Sequence, residues 1–339
     1  MASNPSQPLL QEDLSPPRLI RRILLTLVRL GIGIGLLVYL AQSQVINLPA
    51  LFRLFTAWPI TFAAVALLLF DILLMALRLS WLFRPQGLRL SLRMSLQLTL
   101  VGFFFATFLP GAAGGDLAKL FYATRENSGR KMEIISVVIF DRVIGLFSML
   151  LLPLGFAPFF PKLIQSVPVL RYLLLTVAFF AVCLLIGFLV CLWNESILDR
   201  SVRRIFGLSK WKNLAIRALE TIRAYRHSWG TLAAVLGAAI LANLSLIVVT
   251  ALGVLVVNPA GLAMKMSLVI PMGYLANSLP LTPGGLGVGE TAFNALFTIT
   301  GLSGGADALL CWRIWSALVG ILGLILYLRG LRRSLFDGI

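Results

Sequence analysis

The sequence predicts an all-α polytopic membrane protein with about six full spans and two re-entrant helical hairpins, arranged as inverted repeats. Of the 339 residues, 59% are hydrophobic and only 12% are charged, and the mean hydropathy is +0.95. The apolar runs between the charged segments are long enough to cross the hydrocarbon core of a bilayer. Two breaks rich in proline and glycine interrupt these runs, and their sequences match each other. The composition predicts the membrane class, and the breaks predict the hairpins and the repeat.

The two breaks lie at residues 108–119, which read FLPGAAGGDLAK, and at residues 279–290, which read LPLTPGGLGVGE. A single offset of 170 residues superposes three pairs: Pro110 on Pro280, Gly114 on Gly284 and Gly115 on Gly285. The same offset brings Arg142 within one residue of Arg313. This match indicates a duplicated unit, with repeat 1 at about residues 18–160 and repeat 2 at about residues 170–330.

The charge balance indicates lipid and not nucleic acid as the partner. The chain has 29 Lys and Arg against 13 Asp and Glu, a net charge of +16. These basic residues lie between apolar runs, which is typical of cytoplasmic loops that face anionic lipid. We therefore expect contacts with membrane lipids and none with nucleic acid.

Few residue types suited to catalysis are present. The three cysteines have no paired spacing, so they indicate no disulfide framework. An HExxH metalloprotease site needs two histidines and is excluded, because His227 is the only histidine in the sequence. The carboxylates are scattered singly and form no cluster that would bind a divalent cation. We expect no catalytic residue, no metal and no cofactor.

The amino-terminal part predicts a polar cytoplasmic tail at residues 1–17, followed by a single transmembrane domain at residues 18–339. Three arginines directly precede the first predicted span, residues 23–41, which indicates that the amino terminus is inside. The tail has no apolar core of its own, so we do not expect a cleaved signal peptide.

The second predicted span, residues 60–83, carries two charges. Asp71 and Arg78 are seven residues apart and therefore lie on one face of a helix. Charges at this depth are costly, and they usually face a cavity or each other. The sequence leaves open whether the two form a structural pair or belong to a transport path.

The first break predicts a hairpin that enters from the cytoplasm. A full crossing by residues 94–109 would place the basic cluster that follows, residues 119–131, outside. A turn at residues 110–115 keeps this cluster inside. Because the returning helix begins near Asp116, its free amides and dipole could bind an anionic headgroup, although Asp116 could equally serve only as a cap.

Four further spans are predicted at residues 134–153, 172–193, 232–257 and 308–327. The first of them contains Asp141 and Arg142, and the last contains Arg313. Arginines after the last span place the carboxyl terminus inside. The longest polar segment, residues 194–228, holds eight basic residues interleaved with apolar ones. It is either a surface helix on anionic lipid or a loop that only sets topology.

The second break predicts a hairpin that enters from the outer side, because residues 281–307 contain no Lys or Arg. Two hairpins that enter from opposite sides make the halves inverted repeats, an architecture that secondary transporters build around a central substrate site. In the alternative, both hairpins cross fully and the chain has eight or so spans.

The motifs FLPGAAGGD and PLTPGGLGVGE, with Arg78 followed by Trp81 and the Asp141-Arg142 pair, resemble the transmembrane domain of lysylphosphatidylglycerol synthases. That family includes the flippase half of the bacterial multiple peptide resistance factor. The resemblance implies a multi-pass protein of the bacterial inner membrane that handles lipids. These residues include no aminoacyl-transferase domain, so the resemblance does not imply lipid aminoacylation.

Three functions remain open: a flippase for an anionic or polyprenyl-linked (glyco)lipid, a membrane enzyme of lipid assembly, and a non-catalytic subunit that recruits a partner transferase. The first is favoured, because guanidinium groups suit phosphate. The candidate substrate-binding residues are Arg78, Pro110, Gly114, Gly115, Asp116, Arg142, Pro283, Gly284, Gly285, Glu290 and Arg313. The candidate charge-pairing or proton-binding residues are Asp71, Asp141 and Glu290.

Overall fold

The computed structural model describes residues 52–88, 90–108, 130–193, 222–279 and 281–331, together with the single residues 38, 42, 120 and 220. Regular structure in these ranges is helical, and no strand occurs in them. Four predicted features lie wholly or mostly outside the described residues: the tail, the first span, the break at residues 110–116 and the basic loop.

Eight helices of at least 12 residues form the described part of the chain. They are α1 (Trp58–Phe83), α2 (Leu92–Phe108), α3 (Lys131–Phe156), α4 (Pro168–Trp193), α5 (Trp229–Val257), α6 (Met266–Asn277), α7 (Val288–Ile299) and α8 (Gly305–Leu326). Helices α1, α3, α4, α5 and α8 are long and apolar enough to cross a membrane. They coincide with the five predicted spans that lie within the described ranges, which confirms the prediction of an all-α polytopic membrane protein.

Helices α6 and α7 are much shorter than the five long helices. Each has 12 residues, or about 18 Å at the rise of an α-helix, against about 30 Å of hydrocarbon in a bilayer. Their aromatic rings interlock, with Tyr274 and Phe293 edge to face at 5.2 Å. A Cβ atom added at Gly273 would lie 2.6 Å from the Phe293 ring, so the absence of a side chain there permits the close approach.

Local sequence explains where α1 begins and ends. Pro59 lies in the first turn, where its missing N–H has no intrahelical partner to lose. At the other end, Arg84–Gln86 tightens into a 3₁₀ turn, and Gly87 stops it with a left-handed φ of 63°. The continuous apolar run between these signals supplies a helix that is buried on one side and exposed on the other.

Three helices before the midpoint of the chain match three after it. The bounds of α5, α6 and α8 follow those of α1, α2 and α3 by between 169 and 174 residues. Their packing is also exchanged between the halves: α2 packs on α8, and its counterpart α6 packs on α3. At this offset, α4 has no counterpart in the described part of the chain.

The central contact joins α1 to its own counterpart, α5. Leu68, in the first half of α1, shares a buried cluster with Val249, in the second half of α5. Leu82, near the end of α1, shares another with Val235, near the start of α5. The two matched helices therefore run antiparallel.

Tyr225 connects the segment before α5 to the rest of the bundle. Its side chain is fully buried, its ring lies 5.0 Å from that of Phe140, and its hydroxyl donates a hydrogen bond to the carbonyl of Leu82. Burial raises the pKa of Tyr225 above its usual range, so the hydroxyl keeps the proton that it donates. This contact fixes the end of α1 against the start of α5.

Candidate functional site

The second break is a tight turn made of left-handed glycines between α6 and α7. Gly284, Gly285 and Gly287 have φ values of 61°, 70° and 77°. Residues with a Cβ atom reach this region only at a cost, whereas glycine reaches it freely. The glycines that mark the motif in the sequence are therefore needed for the backbone conformation of the turn.

Arg313 of α8 holds this turn with three hydrogen bonds. Its Nε donates to Oε1 of Glu290 at 2.6 Å, its Nη1 to the carbonyl of Gly284 at 2.7 Å, and its Nη2 to Oδ1 of Asn277 at 3.0 Å. One guanidinium thus joins the end of α6, the turn and the start of α7. Glu290, a candidate for charge pairing in the sequence, therefore has Arg313 as its partner.

Glu290 has a second role at the start of α7. Its other carboxylate oxygen, Oε2, accepts a hydrogen bond from the amide of Gly287 at 2.8 Å. The side chain is fully buried, so both of its oxygens are satisfied by protein groups. A carboxylate in the first turn also interacts favourably with the helix dipole.

Asn277 was not among the residues that the sequence singled out. Its Oδ1 atom fits between two glycines: an added Cβ at Gly285 would lie 2.3 Å from it, and one at Gly289 would lie 2.1 Å from it. The only sequence signal was its position as a polar residue two residues before the break. Its contacts depend on the fold of the turn, which the spacing of residues does not specify.

A second charged cluster joins α1 to α3. Arg78 donates from Nε to Oδ1 of Asp141 at 2.6 Å and from Nη2 to Oδ2 at 3.0 Å, so the pair is bidentate. Both side chains are about 5% exposed. The sequence left open whether Arg78 pairs with Asp71; in the structure the bidentate partner of Arg78 is Asp141 on a neighbouring helix, and Asp71 interacts with Arg78 electrostatically from the same helix.

This pair lies on the wall of a cavity of about 550 Å³ between the matched halves. That volume is within the usual range of ligand pockets, roughly 300–1,000 Å³. The lining residues are Asp71, Met75, Arg78, Thr99, Gly102, Phe103, Ala106, Asp141, Arg142, Val143, Gly145, Leu146, Met149, Ala242, Asn243, Leu246, Tyr274, Leu275, Ser278 and Trp312.

The cavity brings together four of the predicted site residues: Asp71, Arg78, Asp141 and Arg142. Arg142 is exposed, whereas Asp71 is buried and interacts electrostatically with Arg78. Most of the remaining wall is apolar. An arrangement of two arginines and two carboxylates in an apolar cavity within the membrane suits a headgroup that carries charge.

Other predicted site residues are elsewhere. Glu290 of α7 and Arg313 of α8 hold the turn and do not line the cavity, and neither do Gly284 and Gly285; the side chain of Pro283 lies outside what the structure describes. The candidates in the first break, Pro110, Gly114, Gly115 and Asp116, lie outside the described residues.

Tyr274 connects the turn to the cavity. It lines the cavity, its hydroxyl is 2.7 Å from that of Thr250, and its ring meets Trp312, the neighbour of Arg313, edge to face at 5.4 Å. Packed aromatic side chains therefore connect the turn to the cavity wall, so a movement of the turn would displace side chains that line the cavity.

The described part of the chain holds no group of three His, Cys, Asp or Glu side chains close enough to bind a metal ion together. Within it, the Asp, Glu and Arg side chains of the site are those of the two ion pairs, together with Asp71 and Arg142.

Comparison with known families gives one match, to the lysylphosphatidylglycerol synthase TM region, over residues 26–332. The chain belongs to this family. Membership implies a function in the membrane that involves lipids, and it agrees with the multi-pass architecture. No curated protein and no solved structure matches the chain.

The family match includes both charged clusters and the whole of the cavity. As a member of the lysylphosphatidylglycerol synthase TM family, the protein has a lipid-related function in the membrane.

Proposed function

We propose that this protein is a flippase that moves an anionic or polyprenyl-linked lipid across the bacterial inner membrane, with both of its termini in the cytoplasm. The observation that carries the proposal is the 550 Å³ cavity between the matched halves, whose mostly apolar wall holds Arg78 and Arg142 together with two carboxylates. Membership in a lipid-related membrane family supports it.

The charges of the cavity favour an anionic headgroup. Arg78 is neutralised by the bidentate contact with Asp141, so the pair is stable when the cavity holds no substrate. Arg142 is exposed to the cavity, and its planar guanidinium can donate two parallel hydrogen bonds to a phosphate. We propose that Arg142 makes the first contact with the headgroup.

The relation between the halves supports movement between leaflets. Because the matched helices α1 and α5 run antiparallel, the operation that relates them reverses the direction of the chain through the membrane, as in inverted repeats. A cavity between such halves can open first to one side and then to the other as they rock. The hairpin of α6 and α7 would be re-entrant, since neither helix is long enough to cross.

Asp71 is the candidate for coupling to a proton. It is buried, lines the cavity and interacts electrostatically with Arg78. When a phosphate engages the arginines, a carboxylate beside them is repelled and its protonated form is favoured. On this proposal, the protein performs no covalent chemistry; an enzyme of lipid assembly and a subunit that recruits a transferase are the competing outcomes.

The test is transbilayer movement of fluorescent lipids in liposomes that contain the purified protein. Phosphatidylglycerol, a polyprenyl phosphate and phosphatidylcholine are measured in parallel. Arg142→Gln removes the exposed cation of the cavity, and Arg171→Gln removes an exposed cation outside it. Both variants must match the wild type in elution profile and thermal unfolding.

We expect movement of one anionic lipid that Arg142→Gln slows by roughly ten- to a hundredfold, as expected for loss of a charge-assisted contact, while Arg171→Gln leaves the rate unchanged. Equal movement of all three lipids would indicate nonselective scrambling. No movement above that in empty liposomes would overturn the proposal and favour the two competing functions.

A further inference from the structure

We propose that the protein holds one hydrocarbon chain of its lipid in an apolar groove next to the charged cavity; this inference rests on the proposed function. The groove has a volume of about 270 Å³ and lies between α3, α4 and α5. Its lining side chains are all aliphatic or aromatic. This groove, with all the residues that line it, is called the chain groove below.

The chain groove and the cavity share a wall. Val143 lines both, and successive positions of α3 divide between them. Arg142 and Leu146 face the cavity, whereas Phe140 and Phe147 face the groove. Positions one residue apart on a helix are separated by about 100°, so Arg142 is one step around α3 from Val143, the residue that lines both spaces.

The groove and the cavity lie at different positions along the axis of α5. Trp229 and Leu236 mark the extent of the groove, and Ala242 and Leu246 mark the extent of the cavity. The gap between Leu236 and Ala242 is six residues, about 9 Å along a helix. A lipid whose headgroup is in the cavity can therefore extend a chain directly into the groove.

Aromatic rings pack together in the wall of the groove. Phe140 stacks on Phe188 at 5.8 Å, and the buried ring of Tyr225 packs against Phe140 at 5.0 Å. Trp229, in contrast, is 50% exposed. A hydrocarbon chain can therefore reach the groove past Trp229.

Continuity with the charged cavity is what identifies the occupant. Any lipid in the bilayer can place a hydrocarbon chain over an apolar groove. If the headgroup of that lipid is bound in the cavity, however, the charge of the headgroup selects which lipid occupies the groove. The shared wall at Val143 predicts that occupancy depends on the headgroup, and this dependence separates a substrate chain from a chain of bulk lipid.

Quenching of Trp229 fluorescence by brominated chains tests occupancy. The protein is reconstituted in mixed phosphatidylglycerol and phosphatidylcholine vesicles in which only one lipid is brominated, and the signal lost in Trp229→Phe is assigned to Trp229. We expect stronger quenching by brominated phosphatidylglycerol, and we expect Arg142→Gln to abolish the difference. Equal quenching by both lipids would mean bulk lipid, and it would overturn the inference.

Two adjacent alanines supply a test variant and a matched control for the transport assay. Ala233 lines the groove, whereas Ala234 is exposed on α5 and does not. Ala233→Trp fills the groove and is expected to slow a long-chain anionic lipid about tenfold while leaving its short-chain analogue unaffected; Ala234→Trp is expected to change neither. Equal rates for the two variants would overturn the inference.

The two proposals can fail separately. If the wild-type protein moves no lipid, the proposed flippase activity fails, and selective quenching of Trp229 would still report a lipid-binding groove. If the wild type moves an anionic lipid but Ala233→Trp has no effect that depends on chain length, the flippase proposal stands and the chain groove is rejected.

Discussion

Arg313 of α8 and Asn277 of α6 are 36 residues apart in sequence, yet Nη2 of the arginine donates to Oδ1 of the asparagine at 3.0 Å. The same guanidinium contacts Glu290 and the carbonyl of Gly284, so three separate segments converge on it. The turn between α6 and α7 is therefore held together by one side chain.

Replacement of Arg313 is expected to destabilise the turn more than the loss of one hydrogen bond would. Arg313→Ala leaves the buried carboxylate of Glu290 without its cation, a loss that costs about 3–5 kcal/mol at buried sites, towards the lower end here because the arginine is partly accessible. Arg313→Lys keeps the charge but cannot make all three contacts, and it should fall between alanine and the wild type. Thermal unfolding in detergent gives the order.

Hydrogen exchange supplies the local readout for these variants. In Arg313→Ala we expect faster exchange at the amide of Gly287, because Glu290 is no longer oriented to accept from it. Unchanged exchange at this amide, with unchanged unfolding, would mean that the glycines hold the turn without the arginine.

Gly285→Ala is expected to cost at least about 2 kcal/mol. The residue has a left-handed φ of 70°, and the added Cβ would lie 2.3 Å from Oδ1 of Asn277. Gly237, in the middle of α5, has nothing within 4 Å of an added Cβ, so Gly237→Ala should be neutral or stabilising by up to about 1 kcal/mol. Unfolding of the two variants is compared, and equal stability would refute the assigned role of the turn.

Single substitutions in the pair of Arg78 and Asp141 are expected to destabilise the protein strongly. Asp141→Asn or Arg78→Gln removes the bidentate partner of a buried charge and should destabilise the protein by about 3–5 kcal/mol. The charge-swapped double variant, Arg78→Asp with Asp141→Arg, should recover expression, because it restores the pair.

Transport by the swapped variant separates the two roles of this pair. We expect it to remain low, because the cation of the pair then projects from α3 instead of α1. If stability and transport both return to the wild-type level, Arg78 would have a structural role only.

A bulky side chain that obstructs the cavity is expected to slow transport although the charged residues of the cavity are unchanged. Leu246 lines the cavity, whereas Leu241, five residues earlier on α5, is 52% exposed on the outer surface. Leu246→Trp should slow movement of the anionic lipid about tenfold or more, and Leu241→Trp should leave it unchanged. Both proteins are compared at equal reconstituted amounts, and full activity in Leu246→Trp would place the path elsewhere.

The sequence predicted the membrane class and the five long helices because hydropathy and length are properties of the chain itself. It also predicted the hairpin near Gly284 and Gly285, since glycine and proline restrict local backbone whatever surrounds them. The sequence also provided a basis for pairing Glu290 with Arg313, because both residues belong to the repeated unit that contains the break.

Partners between distant helices were harder to predict. Asp71 and Arg78 share one helical face and interact electrostatically, but their spacing gave no sign that the hydrogen-bonded partner of Arg78 comes from α3, 63 residues away. Asn277 is an ordinary polar residue in the sequence and acquires its role only from two glycines and an arginine that fold around it.

The sequence by itself determined that this protein crosses the membrane, where its backbone breaks and which arginines lie within apolar segments, because these features depend on composition and local conformation. Only the tertiary structure decided which charges meet, that Arg78 and Arg142 line the cavity while Arg313 holds the turn, and that an apolar groove adjoins that cavity. These relations depend on how antiparallel helices pack side by side, and side-chain contacts between helices are set by three-dimensional packing rather than by spacing along the chain.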